Sequence, residues 1–280
     1  MEAEVKSRPR AVVRPNSFIF TLFGDLAHGD SAGAALWIGS LIRLMAPFGI
    51  SEAAVRQAVS RMTRQGWLQS ERTGARPLYA LTARGRSRVA ELSPRIYGPV
   101  IDWDGKWRLL TYTIEEGSRA GRDRLRKELG LLGWAPLSAS TWISPTGDLG
   151  AVRRAAEAGG VAGEVHLFCG AYRGPLHDRE LVAGCWDLAR IAGAYEEFIA
   201  FYEPRLRLER ESDGLDDTAA FVERLWLLHD YRKFAYLDPG LPSELVPAHW
   251  PGTRAAGIFR SYYGQLGSKS QRYFARVAGV

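Results

Sequence analysis

The chain has few of the residues and runs that mark disulfide-bonded or membrane proteins. Its 280 residues include only two cysteines, Cys169 and Cys185, too few for a disulfide framework, so a reducing compartment is expected. No apolar run reaches the roughly 18 residues that a membrane span needs. The first residues contain no apolar core of signal-peptide length. We therefore expect a cytoplasmic protein without a membrane partner.

The glycine motifs of nucleotide sites are also missing. There is neither a Walker loop nor a Gly-x-Gly-x-x-Gly segment, so no nucleotide hydrolysis and no Rossmann cofactor are expected. His166 and Cys169 are three residues apart on a predicted strand and would point to opposite faces. His177 and Cys185 lack zinc-site spacing with them. The sequence predicts no cofactor and no metal.

Positive charge is present, and it is concentrated. The net charge is +6 and the isoelectric point about 9.4, which favours an anionic partner. Between Ser51 and Arg95, nine arginines face only three glutamates, whereas the stretch from Glu196 to Asp217 is acidic. This asymmetry favours a DNA-binding module joined to a sensing or dimerising part.

Residues 16–98 show the element order of a winged helix-turn-helix, after a flexible basic tail over 1–15. Helices are predicted from Asn16 or Ser17 to about Ala27, from Ala34 to Met45, and from Glu52 to Gln65. Ser51 is a suitable cap for the third helix, and Gly66 ends it. WLQSE and LYAL predict a two-stranded ribbon around the turn RTGARP, followed by a helix over 83–92.

The third helix has two different faces. Val55, Val59 and Met62 recur at helical spacing and should face the core. The other face carries side chains that suit bases and phosphates in the major groove, namely Arg56, Gln57, Ser60, Arg61 and Arg64. Arg72 and Arg76 would lie at the tip of the ribbon. The alternative interpretation is a solvated basic helix face; the ribbon that follows favours DNA binding.

The rest of the chain predicts two further domains, so the expected class is α+β. Pro94 and Pro99 bracket a linker, and residues 99–178 give the order β-α-β-β-α-β of a ferredoxin-like unit. From residue 179 to 280 the pattern is helical; Pro204 is expected to end one helix, and a final helix is expected around Arg254 to Leu266.

One helix of the C-terminal part places polar groups on an apolar face. His229 and Arg232 share that face with Leu225 and Trp226, and a buried arginine needs a partner. One interpretation is an internal salt bridge to a carboxylate such as Asp238. The other is an effector site for an anionic ligand, formed by Trp226, His229, Arg232, Lys233 and Arg254.

A hydrolytic enzyme is the alternative class. The segment from Gly29 to Gly33, Gly-Asp-Ser-Ala-Gly, matches the esterase pattern Gly-x-Ser-x-Gly. That serine would need a strand before it, and a predicted helix precedes Ser31 instead. We expect a loop without catalysis.

Several segments together resemble the PaaX family, repressors of phenylacetate catabolism. They are FTLFGD, WIGSLIRLMAPFGISEAAVRQAVSRMTRQGWL, RPLYALTARG and LLHDYRKFAYLDPGLPSELVPAHWPG. The resemblance implies a winged-helix domain, a central ferredoxin-like domain similar to Cas2 nucleases, and a helical C-terminal domain. It also implies a homodimer on an operator, released by an aryl-CoA thioester such as phenylacetyl-CoA.

The resemblance to Cas2 nucleases concerns the fold. Those nucleases carry an aspartate at the end of the first strand. The corresponding segment here, WRLLTYTI, has none, and the next acidic residues are Glu115 and Glu116. We expect the central domain to be a non-catalytic spacer or dimerisation module.

Overall fold

A computed structural model describes residues 14–28, 35–73, 76–98, 102–211 and 214–279. Helices and strands are mixed, and the chain forms two compact units. The first unit contains the chain up to Gly98, then Glu197–Arg232 and the segment from Ala255. The second contains Pro99–Glu196 and Lys233–Arg254. The C-terminal segment, predicted as one domain, is therefore divided between the two units.

The N-terminal part has the predicted three helices and a hairpin, with one further short strand. Its elements are α1 (Pro15–His28), β1 (Leu36–Trp37), α2 (Ile38–Met45), α3 (Glu52–Arg64), β2 (Leu68–Thr73), β3 (Arg76–Leu81) and α4 (Ala83–Tyr97). The three strands are antiparallel in the order β1-β3-β2. The second helix begins later than predicted, because Trp37 is extended (φ −67°, ψ 144°) and Leu36 pairs with Tyr79.

The prediction of a linker starting at Pro94 was wrong. Helix α4 continues through Pro94 to Tyr97. A proline removes one backbone donor and disturbs the preceding turn, but near a helix end the loss is small. Tyr97 compensates by stacking on His28, with ring centroids 3.6 Å apart.

The core of the first unit joins distant parts of the chain. Buried side chains of α1, α2 and α3 form one cluster with Phe221, Leu225 and Tyr273. Those three residues come from helices near the other end of the sequence. The N-terminal helices and hairpin therefore share their hydrophobic core with C-terminal helices.

The second unit contains the predicted sequence of strands and helices. Its elements are β4 (Trp107–Tyr112), α5 (Arg119–Leu131), β5 (Ala135–Pro136), β6 (Thr141–Ser144), α6 (Leu149–Gly159) and β7 (Val165–Gly170). The strands form an antiparallel sheet in the order β5-β6-β4-β7, with Leu109 opposite both Ile143 and Phe168. The predicted β-α-β-β-α-β order is present in this sheet.

Six α-helices follow the sheet in the described residues. They are α7 (Asp178–Cys185), α8 (Leu188–Glu211), α9 (Asp217–Tyr231), α10 (Phe234–Leu237), α11 (Pro251–Gln265) and α12 (Gly267–Ala278). Pro204 was expected to end a helix and lies inside α8, where Tyr202 and Leu206 are buried on either side of it. The last helix, α12, was not predicted. Within the described residues, no helix is long and apolar enough to cross a membrane.

Candidate nucleic-acid interface

Helix α3 separates an apolar face from a cationic one. The Ala54 amide donates to the Ser51 hydroxyl at 3.3 Å, which fixes the start of the helix. Val55, Val59 and Met62 are at most 3% exposed. The other face is exposed, and its side chains line one shallow, open hollow: Arg56, Gln57, Ser60, Arg61 and Arg64. The structure thus brings together all five α3 residues that the sequence predicts for DNA.

The cations on this face differ in their surroundings. Arg56 forms an ion pair with Glu52 one turn earlier, with Nη2 2.7 Å from Oε1. Both side chains are more than half exposed (55% and 60%), so the pair contributes at most about 1 kcal/mol. Arg61 and Arg64 make no ion pair with any residue that the structure describes. A competing phosphate or base could therefore engage any of these guanidinium groups at little cost.

The β2–β3 hairpin places two more arginines near its tip. Arg72 lies opposite Pro77, and Thr73 lies opposite Arg76, at the last described pairs before the turn. The side chains of Arg72 and Arg76 are outside the described part of the structure. Their contact with DNA stays a prediction.

Other arginines of the basic segment are used inside the fold. Arg84 lies over the Trp67 ring at 4.2 Å and donates to the Gln65 carbonyl at 3.1 Å. Arg86 donates to the Leu81 carbonyl, and Arg88 pairs with Glu91. The count of charges in the sequence could not separate these arginines from those on the α3 face.

The predicted effector residues do not all belong to one unit. Trp226, His229 and Arg232 lie in the first unit, whereas Lys233 and Arg254 belong to the second. His229 is buried, and its Nδ1 lies 3.0 Å from the Thr21 hydroxyl oxygen.

Helix α1 supplies further partners for this helix face. The Phe18 ring stacks on His229 with a centroid separation of 4.1 Å and meets Trp226 edge-on. Arg232 donates to both the carbonyl and the hydroxyl of Ser17, at 3.2 and 2.5 Å. The polar groups of this face therefore hold α1 against α9.

A buried ionic network, not predicted from the sequence, also joins the two ends of the chain. Arg224 Nη1 lies 3.0 Å from Asp25 Oδ2, and these side chains are 15% and 12% exposed. The Tyr263 hydroxyl donates to the other Asp25 oxygen, and Arg224 lies over the Tyr263 ring. Burial, aided by Asp25, raises the pKa of Tyr97 and of Tyr263 far above the ordinary value, so both phenols keep their protons. The only sequence signal was Asp25 itself, the one acidic residue of helix α1.

A narrow crevice lies beside this network, between α1, α4 and α9. Its walls include Phe20 and Gly24 of α1, Leu92 and Ile96 of α4, and Arg232 at the end of α9. The space inside it that a water molecule can occupy is about 30 Å³, room for about two water molecules. If the part of the crevice that opens to solvent is included, its empty volume is about 360 Å³. The lining is almost wholly apolar, and Arg232 supplies its one charge.

Two sequence features bear on a hydrolytic function, the esterase-like segment and the possible metal ligands. The Gly29–Gly33 segment with Ser31 lies outside the described residues. Among the residues that are described, no three histidine, cysteine, aspartate or glutamate side chains group as metal ligands would.

A capped cationic helix followed by a hairpin is typical of proteins that bind duplex DNA. Comparison with known proteins narrows this class. Three family profiles match: PaaX-like protein over residues 14–85, the PaaX protein central Cas2-like domain over 101–182, and the PaaX-like protein C-terminal domain over 186–276. The transcriptional repressor PaaX of Escherichia coli strain K12 is 32% identical over 96% of this chain and 91% of its own length. The chain belongs to the PaaX family.

A solved structure shares the fold. The protein Rv0674 from Mycobacterium tuberculosis matches with a TM-score of 0.56 and 23% identity, over 94% of this chain and 99% of that one. At this identity the likeness concerns the fold alone. The family profile over residues 101–182 identifies the central domain as Cas2-like. No comparison supports the hydrolytic alternative.

The Asp25–Arg224 pair gives the first prediction. Asp25→Ala leaves the Arg224 guanidinium buried without its carboxylate, so the free energy of unfolding should fall by about 3 kcal/mol in urea denaturation. Glu52→Ala, which breaks the exposed pair with Arg56, is the control and should cost less than about 1 kcal/mol. Equal losses in the two variants would show that the buried pair contributes no more than a surface pair.

Proposed function

We propose that this protein is a cytoplasmic transcriptional repressor that binds double-stranded operator DNA through a winged helix-turn-helix formed by α1 to α4. The observation that carries the proposal is the α3 face, where five exposed polar or cationic side chains stand opposite a fully buried apolar face. The similarity to the E. coli repressor over nearly the whole chain supports it. The proposal includes no catalytic activity.

In this mechanism α3 enters the major groove and the β2–β3 hairpin follows the backbone. Arg56 and Gln57 are the base readers, since arginine pairs with guanine and glutamine with adenine. Ser60, Arg61 and Arg64 hold phosphates and fix the register of the helix on the duplex. Arg72 and Arg76 contact phosphates from the hairpin. A homodimer would present two such helices to a palindromic site.

Base reading predicts loss of selectivity when α3 is altered. Arg56→Ala and Gln57→Ala should each weaken operator binding by about 1–3 kcal/mol while leaving random-sequence DNA less affected. The measurement is a fluorescence anisotropy titration on operator and scrambled duplexes at one salt concentration. Arg126→Ala, an exposed arginine on α5 of the second unit, is the charge-matched control. Parent-like selectivity in both α3 variants would mean that another surface reads the sequence.

Phosphate contact from the hairpin predicts a different signature. Arg72→Ala and Arg76→Ala should weaken binding to every duplex alike. Each should also reduce the slope of log K against log salt by about 0.9, because one fewer counterion is released per lost contact. Titrations at four or more salt concentrations give the slope. A slope equal to the parent's in both variants would remove the hairpin from the interface.

The repressor is proposed to control phenylacetate catabolism and to leave its operator when an aryl-CoA thioester binds. The phosphates of CoA need cations, and the aryl group needs an apolar hollow. Arg232, Lys233 and Arg254, with Trp226 and His229 nearby in sequence, are the residues proposed for effector binding. Near-complete release requires the ligand to favour the DNA-incompetent state by about 5.5 kcal/mol.

The thioester proposal predicts which compounds release DNA. Phenylacetyl-CoA should dissociate the operator complex, while phenylacetate, which lacks the CoA phosphates, should act far more weakly. Free CoA, which lacks the ring, is the complementary control. Equal responses to phenylacetate and its thioester would exclude the thioester as the effector. In Arg232→Ala the half-maximal concentration of phenylacetyl-CoA should rise; an unchanged value would contradict only the assignment of Arg232.

A further inference from the structure

Apolar side chains of helix α4 form one wall of the crevice. Leu92, Ile96 and Tyr97 follow Val89 by three, seven and eight residues, and all four line the crevice. On the opposite wall, α1 presents Gly24, which has no side chain to fill the gap. An apolar stripe against a void loses the contacts that normally stabilise helix packing. The void is therefore a costly feature that closer packing would remove.

The backbone conformation at position 24 does not require a glycine. It lies inside α1, its φ is not positive, and a Cβ added there would meet only Val89 Cγ2, at an ordinary 3.8 Å. Glycine in a helix interior is less favourable than alanine. The local geometry thus accepts a side chain, and the visible effect of glycine at this position is to keep the crevice open.

We propose that this crevice binds a compact apolar group the size of one aromatic ring, and that a ring held there weakens DNA binding by displacing α4. The apolar lining suits a ring and excludes a phosphate or a nucleotide. Arg232 lies on the wall and suits a carbonyl or carboxylate oxygen next to the ring. The effect on DNA rests on the proposed repressor function; the binding of a ring does not.

The size of the crevice links binding to movement. The crevice has only about 30 Å³ of water-accessible space, less than a ring needs, so a ring enters by moving the walls apart, and α1 and α4 form two of them. The ligand must then bind the separated state more tightly than the closed one. That difference in affinity is what a ligand needs to shift a conformational equilibrium.

Hydrogen bonds at the start of α4 carry such a shift to the DNA-binding face. The Thr82 hydroxyl caps α4 and also donates to the Gly66 carbonyl, at 2.7 Å, just beyond the end of α3. The Thr82 amide donates to the Trp67 carbonyl, and Arg84 donates to the Gln65 carbonyl. Helix α4 also follows β3 of the hairpin directly. A displaced α4 therefore acts on both predicted DNA-contacting elements.

The test fills the crevice by replacing Gly24 with residues that have a side chain. Binding of small-molecule probes and binding of DNA are measured in separate experiments. Calorimetry without DNA measures phenylacetyl-CoA, free CoA and phenylacetate on the parent, Gly24→Ala and Gly24→Leu. Affinity for a ring-bearing probe should fall about tenfold in Gly24→Ala and further in Gly24→Leu, as expected for methyl groups added to an apolar pocket. Comparison of phenylacetate with the thioester shows whether the ring arrives free or on CoA.

The control is Gly264→Leu, the same change in α11 at an exposed position where a Cβ would meet nothing within 4 Å. It should bind the probes as the parent does. Gly24→Ala should also raise the unfolding midpoint, so it stays informative if Gly24→Leu does not fold. Parent-like affinity for the ring-bearing probes in Gly24→Ala, or no binding of any ring-bearing probe by the parent, would overturn the site.

Operator binding in the presence of each probe tests the coupling. The probe that binds the parent should weaken its operator complex and that of Gly264→Leu, and should lose this effect in Gly24→Ala at the same concentration. A probe that binds the crevice without changing operator affinity would overturn the displacement of α4. A parent that binds the probe but no DNA at all would refute the proposed function and leave the site in place.

Discussion

The burial of Phe18 between N-terminal and C-terminal helices is the contact on which the first unit depends. Its ring is 1% exposed and packs against the rings of Phe48, Trp226 and His229. Because α1 is apolar on both sides, neither the three N-terminal helices nor α9 alone could keep it from water. Helix α3 packs on α1 in the same core, so its position depends on residues more than 150 positions later in the chain.

Much of the exposed cationic face of α3 could be predicted from the sequence because its signals are local. The signals are the cap residue Ser51, the helical spacing of the apolar residues Val55, Val59 and Met62, and the terminating residue Gly66. Each of them determines the conformation or burial of residues only a few positions away. Gly66 has φ 72°, the left-handed conformation that ends a helix and that glycine adopts without strain. The alternating pattern of the central strands is local in the same sense, and the predicted order of that sheet was confirmed.

The misses have a common physical cause, which is packing between distant segments. In the sequence, Pro94 and Pro204 predict helix ends. In the structure Tyr97 stacks on His28 and Leu206 is buried, and this packing stabilises the helical turns that follow the two prolines. Helix α12 has little apolar sequence of its own, and only Ser270 and Tyr273 are buried in it. The same limit applies to the face of α9 that carries His229. Its polar character was visible at His229 and Arg232, while Thr21 and Ser17 as their partners were not, since no pattern in one sequence pairs residues about 210 positions apart.

The shared core has a consequence for synthesis on the ribosome. Helix α12 packs on α9 and α2, and the Arg43 guanidinium donates to the Val277 carbonyl at 2.9 Å. Helix α2 therefore gains these stabilising contacts only after α12, more than 200 residues later, has left the exit tunnel. Domains commonly fold in order during translation, but here the contacts that complete the first unit are of high sequence separation and form last. A chain that stops before α12 would lack the contacts that α12 makes with α2 and α9.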